Sequence, residues 1–398
     1  MKPIEVISVG AGSEGLLTLD ARRAIDRAEA IFCAERHSVL VPNQLRVKPL
    51  IPFEHAIEEM GACQQSGQAV AVLVSGDAGL YSLLPLLVRR FGEARLHVHA
   101  GISALQSFCA SMGVAWQNAC ILSAHGRKLS ASALCHAART NAQVILFLDA
   151  EHNPNWVYET LMRGGLDDAR ITIGERLSYP DECIAPYQPK EYDVLSMAYI
   201  ENLAPANGLP PVGLPDDAFI RGKTPMTKRE IRVQALASLA LPMDAAVWDV
   251  GAGTGSVSVE CARQCPLGSV YTIERSDDAI ELLRKNIDKF NLLNVEVVAG
   301  AAPEILAGLP APTHVFLGGT GGASEAIIKH LVSLNKPIRI VATAVTMETA
   351  FDLNRLLSGY PSFTAAQMGI TRLEGVGSYT MLKASNPVFL FSAQMEVE

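Results

Sequence analysis

The chain has 398 residues, enough for two or three domains. Hydrophobic residues make up 49% and charged residues 19%, so there is material for buried cores, and no apolar run approaches the ~20 residues of a membrane span. A net charge of -8 argues against a general nucleic-acid binder, and an anionic substrate would need a local basic pocket. The 8 cysteines form no C-x-x-C pair, which reads as free thiols in a reducing cytoplasm rather than a zinc site. The start, MKPIEVISVGAG, runs straight into a strand pattern and does not read as a signal peptide.

Residues 6–9 read as a buried strand, followed by the loop Gly10-Ala11-Gly12-Ser13-Glu14-Gly15. A helix over 16–28 comes next, with Thr18 as a candidate cap. Residues 30–34 and 70–74 are further strands, the second ending in Ser75-Gly76-Asp77-Ala78-Gly79. Residues 80–90 read as a helix kinked at Pro85. Residues 96–99 lead into Gly101-Ile102-Ser103-Ala104-Leu105 and another helix. Three strands therefore end in glycine or small-residue loops at the carboxyl edge, where open α/β sheets bind ligands. His97 and His99 share one strand face. Exposed strand histidines are the commoner reason for such a pair, and no metal is assigned.

Four stretches resemble the tetrapyrrole methylase family: VGAGSEGLLTL (9–19), SGDAGLYS (75–82), GISAL (101–105) and SAHGR (123–127). The last resembles a branch of the cobalamin pathway that methylates precorrin-6Y or its cobalt analogue. The family often carries proline where Ser13 and Ala78 stand. The resemblance implies S-adenosylmethionine held in a cleft between two α/β lobes. Gly10, Gly12, Ser103 and the Gly76-Asp77-Ala78 backbone are the implied contacts. His125 and Arg127 flank Gly126 just after a strand, a position suited to carboxylate binding or proton transfer. Tyr81 is a candidate proton carrier. In the second lobe, 121–122, 144–148 and 171–174 are strand-like, with helices over 130–140 and 155–163. Pro205, Pro210, Pro211 and Pro215 then mark a linker. The expected division is residues 1–201 (lobes about 1–112 and 113–201), a linker over 202–222, and a last domain over 223–398.

The last domain opens with Thr227 and Glu230 at capping-box spacing for a helix up to Leu241. VWDVGAGTGSVSVECAR (247–263) reads as strand, glycine turn and helix. Asp249 lies near the strand end, and Gly251, Gly253 and Gly255 alternate along the turn. A dinucleotide fingerprint would need glycine where Ser256 stands. Glu274 ends the next apolar run about 20 residues on, where a carboxylate can accept both ribose hydroxyls. This combination resembles the first two motifs of class I methyltransferases, which bind S-adenosylmethionine. A helix over 277–290 and strands over 295–298, 313–317, 339–344, 363–370 and 388–391 complete a doubly wound pattern with antiparallel-type strands at its end.

PMTKREIR, DVGAGTGSVSVE, IERSDDAI, GAAPEIL, FLGGTGG and VGSYTMLKASNPV resemble decarboxylating methyltransferases of the same pathway step. Relatives usually carry an acid where Ala301 stands, so the adenine contact is expected from backbone at Ala301 and Ala302. Thr227 is a further implied cofactor contact. The implied fold is α/β throughout: a two-lobed tetrapyrrole methylase fold, then a doubly wound class I (Rossmann-like) methyltransferase fold. The implied cofactor is S-adenosylmethionine, at two sites per chain. The implied reaction is methylation of two meso carbons, five and fifteen, of a precorrin with loss of the ring C acetate carboxyl. Both families self-associate, which implies a homo-oligomer, with no nucleic-acid or membrane partner. A substrate rich in carboxylates requires cationic donors. Lys228, Arg229 and Arg232 are the candidates, a solvated basic helix face being the alternative. Arg372 is a weaker candidate, and Tyr379 and Glu374 are candidate proton carriers. Two other readings stay open here: methylation of RNA or a modified protein residue, and non-catalytic binding of S-adenosylmethionine or a tetrapyrrole.

Overall fold

A computed structural model describes residues 2–396. The chain divides into two compact units. The first comprises the chain up to Leu129 with Ala137–Leu161 and Asp167–Pro205. The second comprises Ser130–His136, Met162–Leu166 and the chain from Ala206 onward.

In the first unit, strands β1 (Ile4–Ser8), β2 (Ala30–Cys33), β3 (Val47–Pro49), β4 (Val70–Val74) and β5 (Leu96–His99) form a parallel sheet in the order β3-β2-β4-β1-β5. AIFC and VAVLV are buried at every position, as strands covered on both faces must be. Helices α1 (Leu19–Arg27), α2 (Phe53–Gln65) and α3 (Leu84–Phe91) lie between its strands, and α4 (Ala104–Met112) leads from β5 to the second sheet. Thr18 caps α1, its side chain accepting from Ala21 N at 3.1 Å. The helix expected over 80–90 starts only at Leu84, so Pro85 sits in its first turn, where a missing N–H leaves no bond unmade. No kink results.

A second sheet follows, built from β6 (Cys120–Ser123), β7 (Gln143–Phe147), β8 (Arg170–Glu175), β9 (Cys183–Pro186) and β10 (Ser196–Glu201), with α5 (Ala131–Thr140) and α6 (Pro154–Arg163) between strands. Its order is β6-β7-β10-β8-β9. Only β6 and β7 run parallel; the other neighbours are antiparallel. The central strand β10 was not expected from the sequence. Leu105, Phe108 and Cys109 of α4 share a core with Ile145, Met197 and Tyr199 of this sheet.

The second unit holds α7 (Arg229–Leu239), β11 (Ala246–Val250), α8 (Ser256–Gln264), β12 (Ser269–Glu274), α9 (Asp277–Lys289), β13 (Val295–Ala299), β14 (His314–Leu317), α10 (Ser324–Ser333), β15 (Ile338–Ala344), α11 (Met347–Leu357), β16 (Thr364–Met368), β17 (Thr371–Val376), β18 (Tyr379–Ala384) and β19 (Val388–Met395). Seven strands run in the order β13-β12-β11-β14-β15-β19-β16. The first five are parallel, and β19 pairs antiparallel with β15 and β16. β11 is the middle one of the five parallel strands, with Trp248 fully buried. β17 and β18 form a separate exposed hairpin. Part of the expected linker is tied into this unit: Gly213 N and Leu214 N donate to Glu260, and Ile220 N donates to Asn286 Oδ1. Among the described residues no helix is long and apolar enough to cross a membrane.

Candidate functional site

In the first unit, the order β4-β1-β5 brings three strand-end loops side by side. Gly10 and Gly76 exchange backbone hydrogen bonds, Gly10 N to Gly76 O at 3.1 Å and Gly76 N to Gly10 O at 2.6 Å. Both have positive φ, +65° and +67°, a region that glycine enters without a Cβ penalty. Ala78 N donates to Ser8 Oγ at 2.9 Å. Asp77 latches two loops: Oδ1 accepts from Gly79 N at 2.8 Å and Oδ2 from Gly101 N at 3.0 Å. Its carboxylate is thus occupied by backbone. A Cβ at Gly101 would lie 2.5 Å from Ser8 Cβ, so only glycine fits there. Gly12, at φ +107°, packs against His37 and Tyr179. Ser103 is buried and caps α4 in a capping box with Gln106.

His125 and Arg127 are exposed on a turn closed by Arg127 N donating to Ala124 O at 3.1 Å. The Arg127 guanidinium lies 4.9 Å from the Tyr81 ring centre. Tyr81 Oη donates to Ile121 O at 2.7 Å, which makes it a platform rather than a free proton carrier. Sequence reasoning missed Arg36 and His37, which join Ser75 at the same sheet edge. His37 is buried, with Nε2 2.8 Å from Ser75 Oγ, and Arg36 Nη2 donates to that same oxygen at 2.8 Å. Burial first, and the Arg36 charge second, push the His37 pKa down to about 4. The signal was available: E-R-H-S directly follows a buried strand and its alanine.

In the second unit, a cleft opens at the carboxyl ends of β11, β12, β13 and β14. Its walls include Gly251, Glu274, Ala301 and Ala302, which the sequence reading had assigned to cofactor binding. Arg275, Gly319, Thr320 and Gly321 also line it, the last three from the glycine run that follows β14. The Glu274 carboxylate is held by backbone: Oε2 accepts from Gly253 N at 2.9 Å, and Oε1 from Arg275 N at 2.8 Å and Ser276 N at 2.9 Å. The glycines differ in purpose. A Cβ at Gly251 would collide with the Gly319 backbone, and one at Gly255 with Leu283 of α9. Gly253 places its N–H on Glu274.

Other assignments land elsewhere. Asp249 is not among the cleft walls; it is buried and accepts from Ser258 Oγ, while its Oδ1 has no partner. Burial pushes its pKa up to about 6. Thr227 does not cap α7. Lys228 is the N-cap residue without a side-chain bond, and Asp216 Oδ1 accepts from Arg229 N at 3.0 Å instead. Arg232 is fully buried, so it cannot meet a substrate directly. It bonds Asp216 Oδ1 at 2.9 Å, Thr227 O at 2.6 Å and Glu260 Oε1 at 3.4 Å, and lies over the Phe219 ring. A buried charge needs such partners. Lys228 and Arg229 remain exposed. Arg372 pairs with Glu230 at 2.6 Å and holds that carboxyl below the usual range. Glu374 pairs with Lys383 at 2.9 Å, and Tyr379 is exposed on the hairpin.

The donor set suits S-adenosylmethionine. A backbone-fixed carboxylate suits a diol, and glycine and alanine walls leave the peptide edge open to an adenine and an amino-acid tail.

Residues 3–188 match the family of tetrapyrrole (corrin/porphyrin) methylases, and residues 217–395 match the precorrin methyltransferase domain. The chain is similar to a precorrin-6Y C(5,15)-methyltransferase (decarboxylating) from Sinorhizobium sp, 28% identical, covering 96% of this chain and 95% of that protein. It is also similar to a probable cobalt-precorrin-6B C(15)-methyltransferase (decarboxylating) from Pyrobaculum calidifontis, 39% identical, covering 46% of this chain and 95% of that protein. Among solved structures, a precorrin-6y C5,15-methyltransferase from Geobacter metallireducens GS-15 is 36% identical, covers 46% of this chain and 97% of its own, and superposes with a TM-score of 0.44. On the sequence matches, the chain belongs to the precorrin-6Y C(5,15)-methyltransferase (decarboxylating) family, its first part being of the tetrapyrrole methylase kind and its last the precorrin methyltransferase domain.

Proposed function

We propose that this chain methylates precorrin-6Y at C5 and C15 with S-adenosylmethionine as donor and removes the ring C acetate carboxyl as carbon dioxide, giving precorrin-8X. The observation that carries the reading is Glu274, fixed by three backbone N–H groups in a glycine-walled cleft. In this reading each chain binds two cofactor molecules. Residues 1–201 act as a two-lobed tetrapyrrole methylase fold, 202–222 as the linker, and 223–398 as a Rossmann-like class I methyltransferase.

The cofactor supplies a sulfonium methyl that is already electrophilic, so the chain's residues have to align and dry the reacting centre. Glu274 receives the ribose hydroxyls. Three of the roughly four acceptor positions of a carboxylate are taken, so a diol displaces one backbone donor. Gly251 and Gly253 take the amino-acid end, and Ala301 and Ala302 take the adenine. Lys228, Arg229 and Arg275 receive substrate carboxylates in the second unit. There, holding the other carboxylates while desolvating the departing one favours electron flow into the macrocycle. In the first unit, Gly10, Gly12 and the Gly76-Asp77-Ala78 backbone take the second cofactor. His125 and Arg127 meet substrate carboxylates. The chain works as a homo-oligomer, a reading supported by exposed Leu373, Tyr379 and Leu382 on the β17–β18 hairpin, and without nucleic acid, supported by its net charge of -8.

The test is to mix purified chain, precorrin-6Y and S-adenosylmethionine, then follow absorbance and product mass. Two added methyl groups and one lost carbon dioxide support the reading. An unchanged substrate, with folded protein and bound cofactor, sinks it.

A further inference from the structure

Glu5, His97 and His99 form a cluster that the proposed methyl transfer does not use. The parallel register pairs Glu5 with His97 and Ile7 with His99, so the period of two puts both imidazoles and the carboxylate on one sheet face. Glu5 Oε2 lies 2.9 Å from His97 Nδ1 and 2.6 Å from His99 Nε2, and the two rings are 4.6 Å apart between centres. One atom from each residue falls within 4.8 Å of the others. Burial is graded: the side chains are 7% exposed at His99, 23% at Glu5 and 60% at His97. β5 is the edge strand, so one side of the group opens to water.

We propose that Glu5, His97 and His99 form a binding site for one divalent transition-metal ion of the zinc class, through Glu5 Oε2, His97 Nδ1 and His99 Nε2. Two imidazoles and one carboxylate match zinc, nickel or cobalt, whereas magnesium and calcium want oxygen donors. Metal–ligand distances of about 2.0–2.2 Å in a tetrahedral site place ligand atoms roughly 3.3–3.6 Å apart. The present spacing widens to that by small side-chain rotations. On binding, each histidine carries its proton on the other ring nitrogen and turns a lone pair inward. Water fills the fourth position on the open side. The ion would clip the edge strand to β1, two residues before Gly101, whose N–H is bonded to Asp77. Sequence spacing offered only the histidine pair; strand pairing adds the carboxylate.

The test uses the full chain, stripped with chelator and dialysed against zinc. The expected result is one zinc per chain, with affinity at least tenfold weaker in His97→Gln and in Glu5→Gln. Cobalt in place of zinc should show no thiolate charge-transfer band, which separates this site from the cysteines. His97 is the exposed member, so His97→Gln should keep its fold, checked by circular dichroism and thermal melting. No saturable zinc binding overturns the proposal. So does wild-type affinity in folded His97→Gln, which would leave the three side chains as a hydrogen-bonded cluster only. Neither result bears on methyl transfer.

Discussion

The acidic side chains at the loop edges of the two units are held alike but placed differently. In the first, Asp77 accepts two backbone N–H groups and ties the Gly76 loop to Gly101. In the second, Glu274 accepts three, one of them from the Gly253 loop, and also stands at a cleft wall. The lesson is that hydrogen bonds to loop backbone do not by themselves tell one acid beside glycines from another; what sets Glu274 apart is its place on the cleft wall. The units also bury opposite ionisable groups: a histidine held neutral in the first and an aspartate held toward its protonated form in the second.

The strongest way to break this comparison is to spoil one loop set at a time. Gly251→Ala drives a Cβ into the Gly319 backbone. Gly101→Ala brings one to 2.5 Å from Ser8 Cβ. Each variant should bind one cofactor molecule instead of two by equilibrium dialysis and should install one methyl group by product mass. Decarboxylation should vanish only with Gly251→Ala. Loss of both bound cofactors in either folded variant would mean that the loop sets do not work separately.

Opposite buried groups predict opposite pH responses. The unfolded histidine value is 6.5 and the folded His37 value about 4. Between these the unfolded chain takes up a proton that the folded one refuses, so the first unit loses up to about 3 kcal/mol as pH falls through the window. Asp249 runs the other way, from 3.8 unfolded to about 6 folded. Its stabilising effect is complete below the lower value, and up to about 3 kcal/mol is lost as pH rises through the upper one. Thermal melting of His37→Gln and Asp249→Asn against pH reads both. The difference from the parent chain should change in opposite directions between pH 4 and 6.

Next in size is Glu274→Ala, which removes charge-assisted bonds worth about 1.5–3 kcal/mol. One of the two cofactor affinities should drop at least tenfold while the other stays. Two unchanged affinities, with the fold intact, would take Glu274 out of the site.

The pattern behind these residues shows what a sequence can and cannot carry. The position of Glu274 and Gly251 on a cleft wall, and of the three loops at one sheet edge, was legible because strand and loop lie within a few residues of one another. Thr18 was legible as a cap for the same reason. Thr227 looked equally local and was not: Asp216, well upstream, accepts the N–H of Arg229, the first residue of α7. Arg232 looked like part of a basic face, but its partners Asp216 and Glu260 come from distant segments. Strand β10 was obscured by the Pro- and Gly-rich stretch that follows it, although its pairing with β7 and β8 makes it central. Arg36 and His37 were readable in place but not in purpose, because Ser75 joins them only through strand order.

The smallest expected effect concerns how the loop helices begin. α4 opens on Ser103, whose Oγ accepts from Gln106 N at 3.2 Å while Gln106 Oε1 accepts from Ser103 N at 2.8 Å. α8 opens on Gly255 with no side-chain cap. A capped helix has used part of its terminal N–H set, and an uncapped one keeps it for a ligand. Ser103→Ala should therefore destabilise the first unit by about 1 kcal/mol, and Ser103→Thr should restore most of that. Denaturant titration of both variants reads the difference. With the Ser103 hydroxyl committed to the capping box, cofactor affinity should change much less than in Glu274→Ala. A tenfold loss of first-site affinity in Ser103→Ala, with stability within experimental error of the parent, would show that the hydroxyl meets the cofactor directly. The contrast between a latched loop set and an open one would then fail at this helix.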